Sequence, residues 1–231
     1  MSIKKEIVER EYNALKKMVL ADFPYEMQIN DVEIFPIFKE VYSNVKKQHS
    51  KIRNKFYTNK DGDGIIDFKF LDHYLIFCFR MANYIYKNYA NVELAEAIYY
   101  SSRIRTSTDL YYPAEIDDYF IPAHSLGTVM DSRAKYGKLF KIYNGVHIGP
   151  YNIQGVDPKD WKHPKIGDAV TLLANSSVYG NTEIGNNVIV SVGAKIINEI
   201  IPSNCVVIGQ SPNLFVLPIV ENNFDLLGPE N

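Results

Sequence analysis

The sequence predicts an α+β chain in two parts: an N-terminal α-helical domain over residues 1–105, then a left-handed parallel β-helix built from hexapeptide repeats over 106–217. Three observations predict it. Ile166 to Ile201 divides into six blocks of six, IGDAVT, LLANSS, VYGNTE, IGNNVI, VSVGAK and IINEII, and the first place of every block is aliphatic. The fifth places (Val170, Ser176, Thr182, Val188, Ala194, Ile200) are small or β-branched. Helical faces recur at 3.6 residues and strands at 2, so a period of six fits neither alone. It fits a coil of short parallel strands whose first residue points inward. Finally, apolar positions recur at helical spacing before residue 105, and short apolar runs broken by Gly, Asn and Asp follow it.

In chain order, Ile3, Ile7, Tyr12, Leu15 and Val19 share a helical face, and Asp22 and Pro24 end the run. Asp31 is placed to cap a second helix carrying Ile34, Phe38, Val41, Val45 and Ile52. Residues 59–67, NKDGDGIID, resemble a calcium loop, but the position that needs a bidentate Glu is Phe70. The segment therefore reads as a tight glycine turn capping the next helix. Residues 68–87 are apolar almost all round and are expected at the centre of the helical domain, with His73 packed in its core. Another helix runs from Asn91 to about Arg103. His49 reads as solvent-exposed and His147 as structural.

Beyond Arg105 the coil starts early. Met130, Tyr136, Ile142 and Ile148 are six apart and Ile148 is in phase with Ile166, whereas Ile116 and Pro122 are out of phase with Met130. The register must slip between Pro122 and Met130. Residues 150–162 lose the repeat and contain the single tryptophan, Trp161. A loop of this length in a tight coil is expected to cover a site or reach a neighbouring subunit. After Ile201 an extended segment is expected to close the open end of the coil, and 218–231 form a C-terminal tail.

Composition narrows the function. The formal net charge is −2, which gives no electrostatic case for nucleic acid or an anionic membrane. No apolar run approaches membrane-spanning length and no leader-like segment opens the chain, so a cytoplasmic setting is expected. Cys78 and Cys205 suggest neither a disulfide framework nor a metal site.

Three short motifs carry the chemistry. DLYYPAEI begins at Asp109, HSLG begins at His124 fifteen residues later, and KHPKIGD places His163 just before the clean repeat. In that order, around a hexapeptide coil that follows a helical domain, they resemble the serine acetyltransferases of the hexapeptide acyltransferase superfamily. The resemblance covers roughly residues 68–212. It implies acetyl-CoA-dependent acyl transfer to a hydroxyl, with no metal expected.

A hydroxyl needs a general base at neutral pH, and His124 is the candidate. Asp109 is the carried-over carboxylate that orients it, and His163 matches the family's second active-site histidine. Backbone amides near Gly127 are candidate oxyanion donors. Lys162 and Trp161 are candidate substrate contacts. Gly180, Gly193, Ala194 and Lys195 are candidates along the CoA groove. The resemblance also implies an active site between neighbouring coils, hence a homotrimer or a dimer of trimers.

Some residues depart from the family pattern. The acidic residue before the catalytic histidine is Ala123, the Arg before the second histidine is Lys162, and the glycine-rich loop is replaced by Asp157 to Trp161. Ala123 shifts the expected acceptor to a sugar hydroxyl, as in a surface polysaccharide or its precursor, with L-serine the alternative. A nucleotide-sugar N-acetyltransferase and a non-catalytic scaffold are lesser readings. A zinc lyase would need three converging histidines with a close-spaced pair, and His49, His73, His124, His147 and His163 contain none.

Overall fold

A computed structural model describes residues 2–151, 156–220 and 222–227. Parts of the 150–162 loop, Asn152 among them, and parts of the 218–231 tail lie outside the described residues. Among those described, no helix is long and apolar enough to cross a membrane. The chain divides into two compact units between Thr106 and Ser107.

The first unit holds four helices, α1 (Ser2–Asp22), α2 (Asp31–His49), α3 (Leu71–Tyr89) and α4 (Val92–Thr106). Their centre is α3, whose apolar circumference is matched by burial of residues on every side, from Asp72 through Phe79 and on to Ile85. Phe77 lies 5.0 Å from Phe38 and 5.1 Å from Phe68, ring to ring. At the open ends of the helices, Asp22 of α1 receives Arg105 Nη2 at 2.8 Å and Ser101 Oγ at 2.5 Å from α4.

Three local expectations need correction. The cap of α2 is Asn30, whose side chain accepts from the Val32 N–H at 3.1 Å. Asp31 instead accepts from Tyr12 and Lys16 of α1, so the carboxylate joins two helices rather than starting one. The 59–67 segment is a turn, with Gly62 at φ +83° and the Asn59 side chain accepting from the Asp61 and Asp63 N–H groups. It does not cap α3, which begins after Phe70 with no side-chain cap. His49, expected in solvent, is 2% exposed. Its ring lies 5.0 Å from that of His73 and its Nδ1 donates to the Ile65 carbonyl at 2.6 Å.

The second unit is a parallel β-solenoid of five rungs, consistent with the left-handed β-helix expected from the repeat. Face one stacks Asp109–Leu110, Val129–Met130, His147–Gly149, Ser177–Tyr179 and Lys195–Ile197. Face two stacks Glu115–Ile116, Lys135–Tyr136, Lys165–Ile166, Glu183–Ile184 and Ile200–Ile201. Face three stacks Ile121–Ala123, Lys141–Tyr143, Thr171–Leu172, Val188–Val190 and Cys205–Gln210. The register explains the period of six: the first places of the blocks sit directly over one another. Leu110, Met130, Ile148, Val178 and Ile196 form one inward ladder, and Pro122, Ile142, Leu172, Val190 and Val207 another. All ten are buried. Side chains of this size contribute roughly 1.5–3 kcal/mol each when buried.

The fifth places are buried too, with one exception. Ile200 is 80% exposed, because Ile196 and the next inward residue, Ile201, are five apart rather than six. The coil ends in an antiparallel hairpin, Cys205–Gln210 with Asn213–Pro218, instead of a plain extended closure. His147 stands on the outer side of face one and is exposed.

Candidate active site

The chain turns from one face to the next through residues of left-handed backbone conformation, which Gly and Asn adopt most readily. The edge between faces three and one carries Gly127, Gly145, Asn175 and Gly193 at positive φ. Each N–H donates to the carbonyl of the corner below: Gly127 to Ser107, Gly145 to Leu126, Asn175 to Asn144 and Gly193 to Ala174, at 2.9–3.0 Å. His124 breaks this regularity. It has φ +54° on the same edge, three residues ahead of Gly127, with no counterpart on the other rungs. Eight residues separate the inward Pro122 from the inward Met130, against six on a regular side, so this corner contains two more residues than the repeat needs. This is the predicted register slip, and HSLG occupies it.

The extra length turns His124 outward. Ser125 is buried and receives the Thr108 hydroxyl, at 2.8 Å to its carbonyl and 3.3 Å to its Oγ. Thr108 and Ser125 both point in, so their chain neighbours Asp109 and His124 both point out, on adjacent rungs of one edge. The Asp109 N–H donates to the Thr128 carbonyl at 2.8 Å, which holds the two segments in register. His124 is exposed and Asp109 half-buried.

His163 is elsewhere. It precedes face two, on the edge between faces one and two, and its Nδ1 pairs with the Asp131 carboxylate. Both side chains are largely buried, 14% and 9% exposed. Asp131 was not singled out from the sequence. Its other oxygen accepts from the Arg133 N–H at 3.0 Å, and its carbonyl accepts from the Tyr136 hydroxyl at 2.8 Å. Tyr136 takes an inward place that other rungs give to isoleucine, so a core residue buttresses the corner. Burial first and the Asp131 charge second push its pKa well above the ordinary tyrosine value, so it stays a proton donor.

The predicted residues thus fall on two edges. With His124 stand Asp109, Gly127 and, three rungs on, Gly193, Ala194 and Lys195. At about 4.8 Å per rung that span is about 14 Å. A side chain at Gly193 would meet no atom within 4 Å, so its surroundings are open; Ala194 is buried and Lys195 exposed. With His163 stand Lys162, Trp161 and Asp131. Gly180 is also on this second edge, donating to the Gly149 carbonyl at 3.0 Å, and so does not join the other CoA-groove candidates. A Cβ there would sit 2.8 Å from Tyr151 Cβ and 2.2 Å from Asn198 Oδ1, which gives this glycine a packing reason. Trp161 is half-buried, donates from Nε1 to the Val156 carbonyl at 3.3 Å, and lies under the Arg133 guanidinium. Among the described residues no group of three or more His, Cys, Asp or Glu could hold a metal ion.

The fold and these histidine-bearing edges define a class: a hexapeptide-repeat β-solenoid following a helical unit. Residues 163–198 match the family described as bacterial transferase hexapeptide (six repeats). Within that class the likeness is to serine acetyltransferases. The Synechococcus elongatus enzyme is 28% identical over 132 residues, covering 57% of this chain and 52% of its own. The Mycobacterium tuberculosis enzyme is 30% identical over 152 residues, covering 59% and 64%. The Staphylococcus epidermidis enzyme is 32% identical over 130 residues, covering 56% and 58%. The matches thus span between half and two-thirds of each of these relatives. In structure, the Neisseria gonorrhoeae serine acetyltransferase has a TM-score of 0.65 at 19% identity, covering 92% of this chain and 80% of its own. A serine acetyltransferase solved in complex with CoA has a TM-score of 0.63 at 15% identity, covering 88% and 82%. At these identities the structures establish the shared fold.

Proposed function

We propose that the chain is an acetyl-CoA-dependent O-acetyltransferase in which His124 is the general base. The observation that carries this reading is the expanded corner: two added residues and a left-handed backbone turn His124 outward beside Asp109. A non-glycine residue in that conformation costs on the order of 1–3 kcal/mol and persists where the surroundings enforce it. In the reaction, a ring nitrogen of His124 accepts the acceptor's hydroxyl proton as the oxygen attacks the thioester carbonyl. The tetrahedral intermediate places negative charge on the former carbonyl oxygen; the Gly127 N–H, expected from the sequence as a donor to it, is instead committed to the Ser107 carbonyl at 2.9 Å. Collapse breaks the C–S bond, and the departing CoA thiolate takes the proton from the imidazolium. Asp109 orients the ring, in the way a carboxylate holds a histidine base.

Acetyl-CoA lies along the His124 edge, from the corner towards Gly193 and Lys195. The second histidine comes from a neighbouring copy, since His124 and His163 occupy different edges of one solenoid. L-Serine is the favoured acceptor, because the relatives and structural neighbours are serine acetyltransferases; the sugar acceptor expected from the sequence has no such support. It remains the second reading on one observation: Ala123 supplies no carboxylate beside His124 to hold an amino group. Thiol release from acetyl-CoA, with L-serine and with sugar acceptors, tests both. Turnover with serine that is lost in His124→Ala supports the proposal. Full turnover in His124→Ala sinks the mechanism, and turnover with sugars alone sinks the choice of acceptor.

A further inference from the structure

Arg133 was not singled out by any motif, and its surroundings are unusual for an exposed arginine. Its guanidinium lies 5.9 Å above the Trp161 ring centre, and Nη1 donates to the Pro158 carbonyl in a long bond of 3.4 Å. It forms no ion pair with a carboxylate among the described residues. Of the carboxylates close to it in the chain and in the loop, Asp131 pairs with His163 and Asp157 with the Lys159 side chain at 3.1 Å and its N–H at 3.0 Å, while the exposed Asp160 forms no ion pair with it. Lys162 adds a further exposed positive charge next to His163. A planar five-donor fork is therefore held on an aromatic face, two residues from the carboxylate that orients a histidine, with its charge unmatched.

We infer that Arg133, seated on Trp161 beside the His163–Asp131 pair, is a specificity-determining residue that binds an anionic group of the acceptor. This rests on the acyl-transfer reading and deepens it. A guanidinium fork matches a carboxylate or phosphate bidentately, which a lysine does not. The shared ligand chemistry is thus an oxyanion fixed at a set distance from the reacting hydroxyl. The carboxylate of a hydroxy amino acid and the diphosphate of a nucleotide sugar both satisfy it; a neutral free sugar does not.

The experiment measures KM and kcat with L-serine against L-serinamide, and with a nucleoside-diphosphate sugar against the free sugar, in wild type, Arg133→Gln and Arg133→Lys. Direct binding of the same compounds is measured by calorimetry. The wild type should prefer the charged member of whichever pair it uses. Arg133→Gln should raise its KM, or weaken its binding, about tenfold to a hundredfold, with Arg133→Lys in between and the uncharged member unaffected. An equal change for charged and uncharged members, a fall in kcat alone, or a shift confined to the KM of acetyl-CoA would each overturn the inference. Calorimetry separates the two levels of the argument. Loss of anion binding in Arg133→Gln from a protein with no turnover supports the subsite and refutes the acyl-transfer reading. Unchanged acceptor binding and KM in Arg133→Gln, with His124→Ala inactive, does the reverse.

Discussion

The two edges of the solenoid that carry histidines are built by different means. On the His124 edge the repeat is stretched by two residues, and a left-handed backbone conformation accompanies the outward turn of the ring. On the His163 edge the repeat is interrupted by an excursion, and a side-chain network fixes the ring: Asp131 pairs with it, and Tyr136 and the Arg133 N–H hold Asp131. The first edge places an exposed imidazole on a line of corners where Gly127 and Gly193 have open surroundings. The second places a largely buried imidazole among cationic and aromatic groups. A period-six coil can therefore support chemistry by lengthening a corner or by extruding a loop. The first leaves an imidazole accessible, and the second gathers charged and aromatic side chains around one.

The contrast can be broken most directly at the bases. His124→Ala should lower kcat by about 10²- to 10⁴-fold with little change in the KM for acetyl-CoA, as loss of a general base does. Mixing His124→Ala and His163→Ala chains should restore part of the activity that each lacks, if edges from different copies complete one site. No recovery would place the whole site on one chain. A smaller effect is expected at Asp131→Asn, which keeps the shape and removes the charge: kcat should fall about tenfold or more. Thermal unfolding should show whether the fold survives. Tyr136→Phe removes only the hydroxyl that supports the Asp131 carbonyl and should cost about 1 kcal/mol of stability, measured by denaturant titration.

The helical unit makes its own prediction, independent of either edge. Burial pushes the pKa values of His49 and His73 down to about 4, from 6.5. The unfolded chain then binds more protons than the folded one between about pH 6.5 and 4, so stability falls as pH drops through that window and levels off below it. Replacing both with uncharged residues of similar size should flatten the dependence. Thermal melts across pH 4 to 7 would show it, and an equally steep acid loss in the double variant would assign the effect to other groups.

Much of this was legible in the sequence because the repeat is local. Ile166, Leu172, Val178, Ile184, Val190 and Ile196 announce their inward direction by spacing alone, and each is buried as expected. The slip at HSLG was legible as a failure of phase between Pro122 and Met130. What escaped was non-local. Asp131 and His163 are 32 residues apart in sequence, and their pairing depends on how far the loop displaces the next rung. The sole signal within the chain was a pair of charged residues, Asp131 and Arg133, in a corner that the following rungs build from Pro150–Tyr151, Gly180–Asn181 and Asn198–Glu199. His49 was misjudged for a similar reason: its charged helical neighbours suggest an outer face, and only the fold-back of residues 57–73 covers it.

The sequence by itself determined the solenoid and the corner where it is stretched, and it singled out both histidines. A strict hexapeptide pattern leaves few ways to bury its aliphatic residues. Tertiary structure decided the rest: which edge each histidine occupies, that Gly180 is separate from Gly193, and that Asp131, Arg133 and Trp161 gather around His163. Those facts depend on the count of residues per rung summed along the coil. Residues added within one corner can be absorbed there, as at HSLG, or extruded as a loop, and the local pattern alone does not say which side chains then meet.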